Sequence, residues 1–400
     1  MERTHRAISA ERLFAILGCA VVALGIFATF VELSSFAFLY AYRRLHRDPF
    51  APQKSPAYDS EEWNRAFWTE HTSFGSRARS NYLPFTVWGA KKWHGKYINT
   101  DDTEMGTWRR TIPAIHEGCR KTGVRRLWVF GGSTVYGIGT PDWATIPSYL
   151  SRELNTDPSA CLDVTNLGAE GYVTNQEAIL LIQQLKAGRR PDIAVFYDGI
   201  NDSLVGAFSP GIPTAHWDFE TIKAKFESPV ASKLACLNLL YSSQLVKLLM
   251  EIYGPEVHRK ISDEELAVRA QATVQNYEAN LKLVQILASQ YGFKAYFFWQ
   301  PVLAYGDKPL VPFERNLRDA SSQELGGHVH RGLTAVYADA ESRSAASGSF
   351  VFLSHIFDKV QEPIYVDEFH LDSRGNEIVA HAIAQTVWPG SFASTGGKSK

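Results

Sequence analysis

Apolar positions are distributed along this chain in two ways. Near the start they form one block. Residues 13–31 (LFAILGCAVVALGIFATFV) carry no charge, and after Glu32 the run LSSFAFLYAY continues to Tyr42. About 20 apolar residues rising 1.5 Å each cross a hydrocarbon core. Residues 13–42 are therefore expected to be a transmembrane anchor behind a short tail, 1–12. Tyr40 and Tyr42 suit the membrane interface, and Arg43, Arg44 and Arg47 the headgroups. From residue 124 onward the apolar runs are short and end in turn residues. Val124–Gly131, Leu162–Gly168, Ile193–Gly199, Ala295–Trp299 and Phe350–Leu353 are rich in β-formers, as buried parallel strands are.

Helical spacing separates these runs. Residues 174–188 place Ala178, Leu181, Ile182 and Leu185 on one face. Over 262–291, Leu266, Val274, Tyr277, Leu281, Val284 and Leu287 recur at near-helical intervals. Ser262 with Glu265 forms a capping box there, and Gly292 is a C-cap. Residues 373–388 put Ile378, Ala382 and Ile383 inward. Strands alternating with helices predict an α/β domain over 121–390, a parallel sheet with helices on both faces. An insertion at about 203–260 holds a Pro/Gly-rich loop (209–213) and an apolar helix near 231–252. It is expected to act as a lid or substrate wall. Residues 43–120 read as a proline-containing linker and an irregular extension rich in tryptophan (Trp63, Trp68, Trp88, Trp93, Trp108). Core packing is the favoured role for these rings and sugar binding the alternative. Residues 391–400 read as a disordered tail.

Charge and cysteine content narrow the picture. The formal net charge of −1 offers no field for a polyanion, so nucleic acid is not an expected partner. The anchor is too long for the apolar core of a cleaved signal, and no A-x-A site follows it. A lipoprotein reading at Cys19 fails because the apolar run continues well past that residue. Arg3, Arg6 and Arg12 before the span balance Arg43, Arg44, Arg47 and Lys54 after it, so charge does not orient it. Cys19, Cys119, Cys161 and Cys236 match no metal or haem spacing. Cys119 and Cys161 each precede a predicted neighbouring strand, which permits either a disulfide or buried thiols.

Four short motifs follow predicted strands, where open α/β sheets bind ligands. Phe130-Gly131-Gly132-Ser133-Thr134 sets a serine on a strand-to-helix turn. Asn166-Leu167-Gly168-Ala169-Glu170-Gly171-Tyr172 offers glycine N–H groups. Asp198-Gly199-Ile200-Asn201-Asp202 offers a side-chain amide. Asp367-Glu368-Phe369-His370 puts a carboxylate three residues from an imidazole. A serine hydroxyl needs a base, the base needs a carboxylate to orient it, and a developing oxyanion needs N–H donors. Each motif alone is an ordinary turn, cap or loop. Their order on successive strand ends makes them a set.

Together the motifs resemble the GDSL/SGNH hydrolase family over about residues 124–390. The resemblance implies a flavodoxin-like three-layer sandwich. It also implies Ser133 as nucleophile, Asp367 and His370 as its partners, and an oxyanion hole from Ser133, Gly171 and Asn201, with Gly168 the second choice to Gly171. Gly132, Gly199, Asp202 and His355 are expected to line the site. The usual Gly-Asp-Ser-Leu reads Gly131-Gly132-Ser133-Thr134 here. The expected substrate is an acyl ester, with acetylated cell-surface polysaccharide as the class and water or an acceptor hydroxyl resolving an acyl-enzyme. Three readings stay open: esterase, O-acyltransferase, and non-catalytic membrane-tethered glycan-binding protein. No metal-ligand spacing or phosphate loop calls for a cofactor. The likeness places the catalytic domain in the periplasm or outside the cell.

Overall fold

The computed structural model describes residues 10–45, 51–77, 80–113, 119, 123–156, 161–208, 215–227, 243–253, 261–322 and 328–389. They fall into two units. One comprises Met1–Pro49 and Glu220–Val257, the other Phe50–Phe219 and His258–Lys400.

In the first unit, α1 (Ala10–Leu45) contains the stretch Leu17–Ala41, long and apolar enough to cross a membrane. The expected disordered tail, the loop at 209–213 and residues 231–242 of the expected insertion helix lie outside the described residues.

In the second unit, the extension is more regular than its sequence suggests. It holds α2 (Asn64–Arg77), a hairpin of β1 (Asn81–Leu83) with β2 (Val87–Gly89), and an antiparallel sheet of β3 (Trp93–His94), β4 (Asn99–Thr103) and β5 (Gly106–Arg109). Its strands were hidden because each is two to five residues long, too short to display a period. Trp63, Trp68 and Trp93 pack around Phe67, Phe74 and Tyr97, and Trp108 enters the main core.

The main sheet consists of β6 (Arg125–Gly131), β7 (Leu162–Gly168), β8 (Ile193–Asp198), β9 (Lys294–Trp299) and β10 (Val351–Phe352). All pair in parallel, in the order β10-β9-β8-β6-β7. Numbered along the chain this is 2-1-3-4-5, the flavodoxin-like doubly wound order, with its switch point at the first strand. Alternation assigns the two faces. Trp128 and Phe130 of β6 join one core, Leu127 and Val129 the other.

The helices between these strands are α3 (Ser133–Tyr136), α4 (Ile146–Leu154), α5 (Thr174–Lys186) and α6 (Ile200–Phe208). After them come α7 (Phe219–Glu227), α8 (Gln244–Tyr253), α9 (Asp263–Tyr291), α10 (Pro312–Ser321), α11 (His328–Ser347) and α12 (Ser373–Val387). Buried residues of α5, α9 and α11 cover the first face, and those of α4, α10 and α12 the second. Ser262 accepts the Glu265 N–H at 3.2 Å, and Gly292 ends α9 in the left-handed region. On α12 the buried apolar side chains are Val379, Ala380, Ile383, Ala384 and Val387. Ile378 and Ala382, expected inside, are half-buried.

A buried ion pair ties the extension to the loop after α3. Arg109 Nε meets Asp142 Oδ1 at 2.6 Å, and its guanidinium donates to the carbonyls of Gly137 (3.1 Å) and Thr140 (2.8 Å). The Asn99 amide donates to the other Asp142 oxygen at 2.8 Å. Cys119 and Cys161 form a disulfide.

Candidate active site

The strand ends at the switch point converge on one cavity of about 720 Å³. Ser133, Gly171, Asn201 and His370 line it. Ser133 opens α3 at the end of β6. A Cβ on its predecessor, Gly132, would lie 2.2 Å from Asn201 Nδ2, so a side chain there would have to displace the Asn201 amide. The His370 imidazole reaches Ser133 Oγ through Nε2 at 2.8 Å and Asp367 Oδ2 through Nδ1 at 2.6 Å. The other Asp367 oxygen accepts the backbone N–H groups of His370 (2.7 Å) and Phe369 (3.0 Å). Burial pushes the Asp367 carboxyl up. The charge and hydrogen bond of His370, with these two N–H donors, outweigh it and hold the group below its ordinary value.

Other contacts fix the loop that presents this pair. Val366 N–H bonds to His370 O at 3.0 Å, and Leu303 N–H to Glu368 O at 2.9 Å. Buried Glu314 accepts the N–H groups of Ile364 (3.0 Å) and Tyr365 (3.1 Å), while Lys308 pairs with its second oxygen at 2.7 Å.

Three N–H donors border the cavity. Ser133 N–H and Gly171 N–H take part in no hydrogen bond among the described residues. Gly171 has φ +74°, and a Cβ there would meet the Trp217 indole at 3.0 Å. Asn201 Nδ2 gives one hydrogen to Tyr172 O at 2.8 Å, which leaves its second.

The structure separates this group from the remaining expected residues. Gly168 N–H is taken by Asn166 Oδ1 at 2.9 Å, and Gly168 packs against the backbone of α3. Gly199 packs on the Trp299 ring. Asp202 is buried and bonded to Thr174. Burial pushes its carboxyl up to about 6 despite the Thr174 donors. His355 is exposed and held between Asp358 (3.0 Å) and Glu341 (2.9 Å). None of Gly132, Gly168, Gly199, Asp202 and His355 lines the cavity. The three glycines serve tight turns and close packing, Asp202 accepts the Thr174 donors at the start of α5, and His355 belongs to a surface network. A cation's ligand set is available at Asp307, His355 and Asp358, outside the cavity.

Trp88, Trp217, Asp218, Glu170, Phe74 and Phe369 are among the other residues of the cavity walls. Trp88 Nε1 donates to Glu170 O at 2.7 Å, which seats it on the turn that carries Gly171. Trp217 and Asp218 come from the insertion, so its first part does wall the site. The sequence marked Trp88 only as one of many tryptophans and Trp217 not at all.

No family model matches the chain, and no curated protein does. Solved structures do. One is a member of the lipolytic protein G-D-S-L family from Veillonella parvula, 12% identical, TM-score 0.32, over 66% of this chain and 99% of that one. Another is an acetylxylan esterase from Geobacillus stearothermophilus, 13% identical, TM-score 0.29, over 66% and 94%. A third is an α/β-hydrolase enzyme from the metagenome of Lake Arreo, Spain, 13% identical, TM-score 0.31, over 65% and 93%. A lipolytic G-D-S-L-family protein and an acetylxylan esterase are thus among the neighbours. At such identity and scores, function rests on the side chains themselves.

Proposed function

We propose that this chain is a serine-dependent ester hydrolase of the GDSL/SGNH type that works through an acyl-enzyme. The observation that carries this reading is the unbroken relay from Ser133 Oγ through His370 to Asp367, at 2.8 and 2.6 Å, opening on a cavity. His370 Nε2 takes the hydroxyl proton as Ser133 attacks the ester carbonyl. Asp367 holds Nδ1–H and stabilises the imidazolium. Ser133 N–H, Gly171 N–H and the free hydrogen of Asn201 Nδ2 receive the oxyanion. Preorganised donors of this kind act most strongly where water is excluded. The alcohol leaves with the proton from His370. Water, deprotonated by the same imidazole, then releases the acid and restores Ser133.

The substrate class we infer is an acylated, in particular acetylated, saccharide. About 720 Å³ is far more room than an acetyl group fills. Trp88 and Trp217 line this cavity, and aromatic rings are suited to packing against a sugar ring. The Cys119–Cys161 bridge supports a catalytic domain outside the cytoplasm, where thiols oxidise, with α1 as a single-pass anchor. The test is acetate release from acetylated xylo- and glucosamine oligosaccharides by the full-length protein in detergent, with an unacetylated glycan as added acceptor. Release that depends on Ser133 supports the hydrolase reading. Transfer to the acceptor without release would replace it with an acyltransferase, and neither product would remove the enzyme reading.

A further inference from the structure

We propose that α8 of the insertion is embedded in the bilayer, clasped to the anchor through Glu32. The proposal rests on the reading of α1 as a membrane span. Its starting point is how far along α1 the hydrocarbon must reach. Leu33, Phe36, Phe38 and Tyr40 are all more than half exposed, and Arg43 is the first charge beyond them. Apolar surface of that extent needs lipid to cover it, so the span runs to Ala41. Glu32 precedes Ala41 by nine residues, which sets it about 13 Å inside that end.

A carboxylate at such depth is costly unless it finds partners, and intramembrane acids pair with whatever donors are near. Among the described residues, the partners of Glu32 come from the start of α8. The Ser243 hydroxyl donates to one oxygen, and the Gln244 N–H donates to the other at 2.6 Å. The Lys247 ammonium adds an attractive charge one turn on. Ser243 Oγ also accepts the Val246 N–H at 3.3 Å. The carboxylate and the serine therefore supply the groups that the first turn of a helix lacks, which in hydrocarbon no water could provide. Ser35 and Leu39, three and seven residues after Glu32, are buried. They extend the same face of α1 into a seam, with a small residue where the helices come close. Leu249 on α8 stays exposed. The first turn of α8 thus lies at the depth of Glu32, and the partner that exposed Leu249 fits is acyl chain.

The test uses the full-length protein with Cys19 and Cys236 changed to serine and the Cys119–Cys161 bridge kept. It is reconstituted in phosphatidylcholine vesicles and carries an environment-sensitive fluorophore at Val22→Cys, Leu249→Cys or Lys282→Cys. Acyl-chain nitroxide lipid and aqueous iodide serve as quenchers. The proposal predicts that the probe at 249 behaves like the probe at 22, quenched by nitroxide and shielded from iodide, while the probe at 282 shows the reverse. If 249 follows 282 and 22 remains lipid-quenched, the embedded helix is wrong and the anchor stands. If 22 itself is open to iodide, the anchor reading fails and the proposal with it.

Discussion

Ser133 is an ordinary alcohol until its neighbours are counted. In the proposed mechanism His370 removes its proton and Asp367 fixes the imidazole, so each substitution has its own signature. Asp367→Asn leaves a side chain of the same shape but favours the wrong tautomer. We expect kcat to fall by about 10⁴ with little change in KM, as for an orienting carboxylate in such a relay. Asn201→Ala removes one oxyanion donor and should lower kcat by about 10²–10³. Steady-state rates on a short-chain aryl acetate measure both. Trp217→Ala tests the proposed saccharide side of the cavity. It should raise KM for an acetylated oligosaccharide several-fold and leave the aryl acetate nearly unchanged; equal loss on both would show that the ring only supports the fold. Ser133 and Asn201 were legible in the sequence because they sit directly after strands, and Asp367 with His370 because a carboxylate stands three residues from an imidazole just ahead of a helix. Trp217 and Asp218 were not, because they enter from an insertion whose spacing carries no period.

At the scale of elements, the strands announced themselves because each alternates its side chains between two apolar layers. The helices α5, α9 and α12 were readable to within a few residues. The exact inner face of α12 was not, since its half-buried edge carries residues as apolar as its buried stripe. What the sequence could not reveal is how the Asp367–His370 loop is held. Glu314 lies far away in the chain, yet its buried carboxylate accepts two backbone N–H groups just ahead of that loop. It is a positioning residue. Glu314→Ala strands Lys308 and both donors, and should cost about 3–5 kcal/mol of stability. Glu314→Gln keeps an acceptor and should recover much of the loss. In urea unfolding and kinetics together, the Gln variant is expected to regain kcat along with stability. A Gln variant as inactive as Ala but fully stable would contradict this role.

For the whole molecule, buried carboxyls give stability a pH dependence of definite sign. Burial pushes Asp372, the N-cap of α12, up to about 7 despite the Gly375 N–H it accepts. Glu177 and Asp198 are likewise pushed well up, first by burial and then by neighbouring acids. A carboxyl that keeps its proton to higher pH when folded lowers stability as pH rises from about 4, the unfolded value, towards its folded value. Asp367, held low, works the other way and loses its contribution in acid. Asp372→Asn retains a good N-cap without the buried charge. Its advantage over the parent protein should grow from pH 4 to pH 7, reaching on the order of a few kcal/mol in denaturant titrations. A constant difference across that range would contradict the assignment. The grouping of residues 220–257 with the anchor is the large-scale feature that sequence hid, because it depends on Glu32 finding donors some 200 residues away.

The central claim is that Ser133 is a nucleophile made reactive by His370. A fluorophosphonate probe followed by intact-mass analysis tests it most directly. We predict one adduct on the parent protein, mapped to Ser133, none on Ser133→Ala, and labelling slowed by at least about 10²-fold on His370→Ala. Equal labelling of the parent and Ser133→Ala, or no labelling of the folded parent protein, would contradict the account.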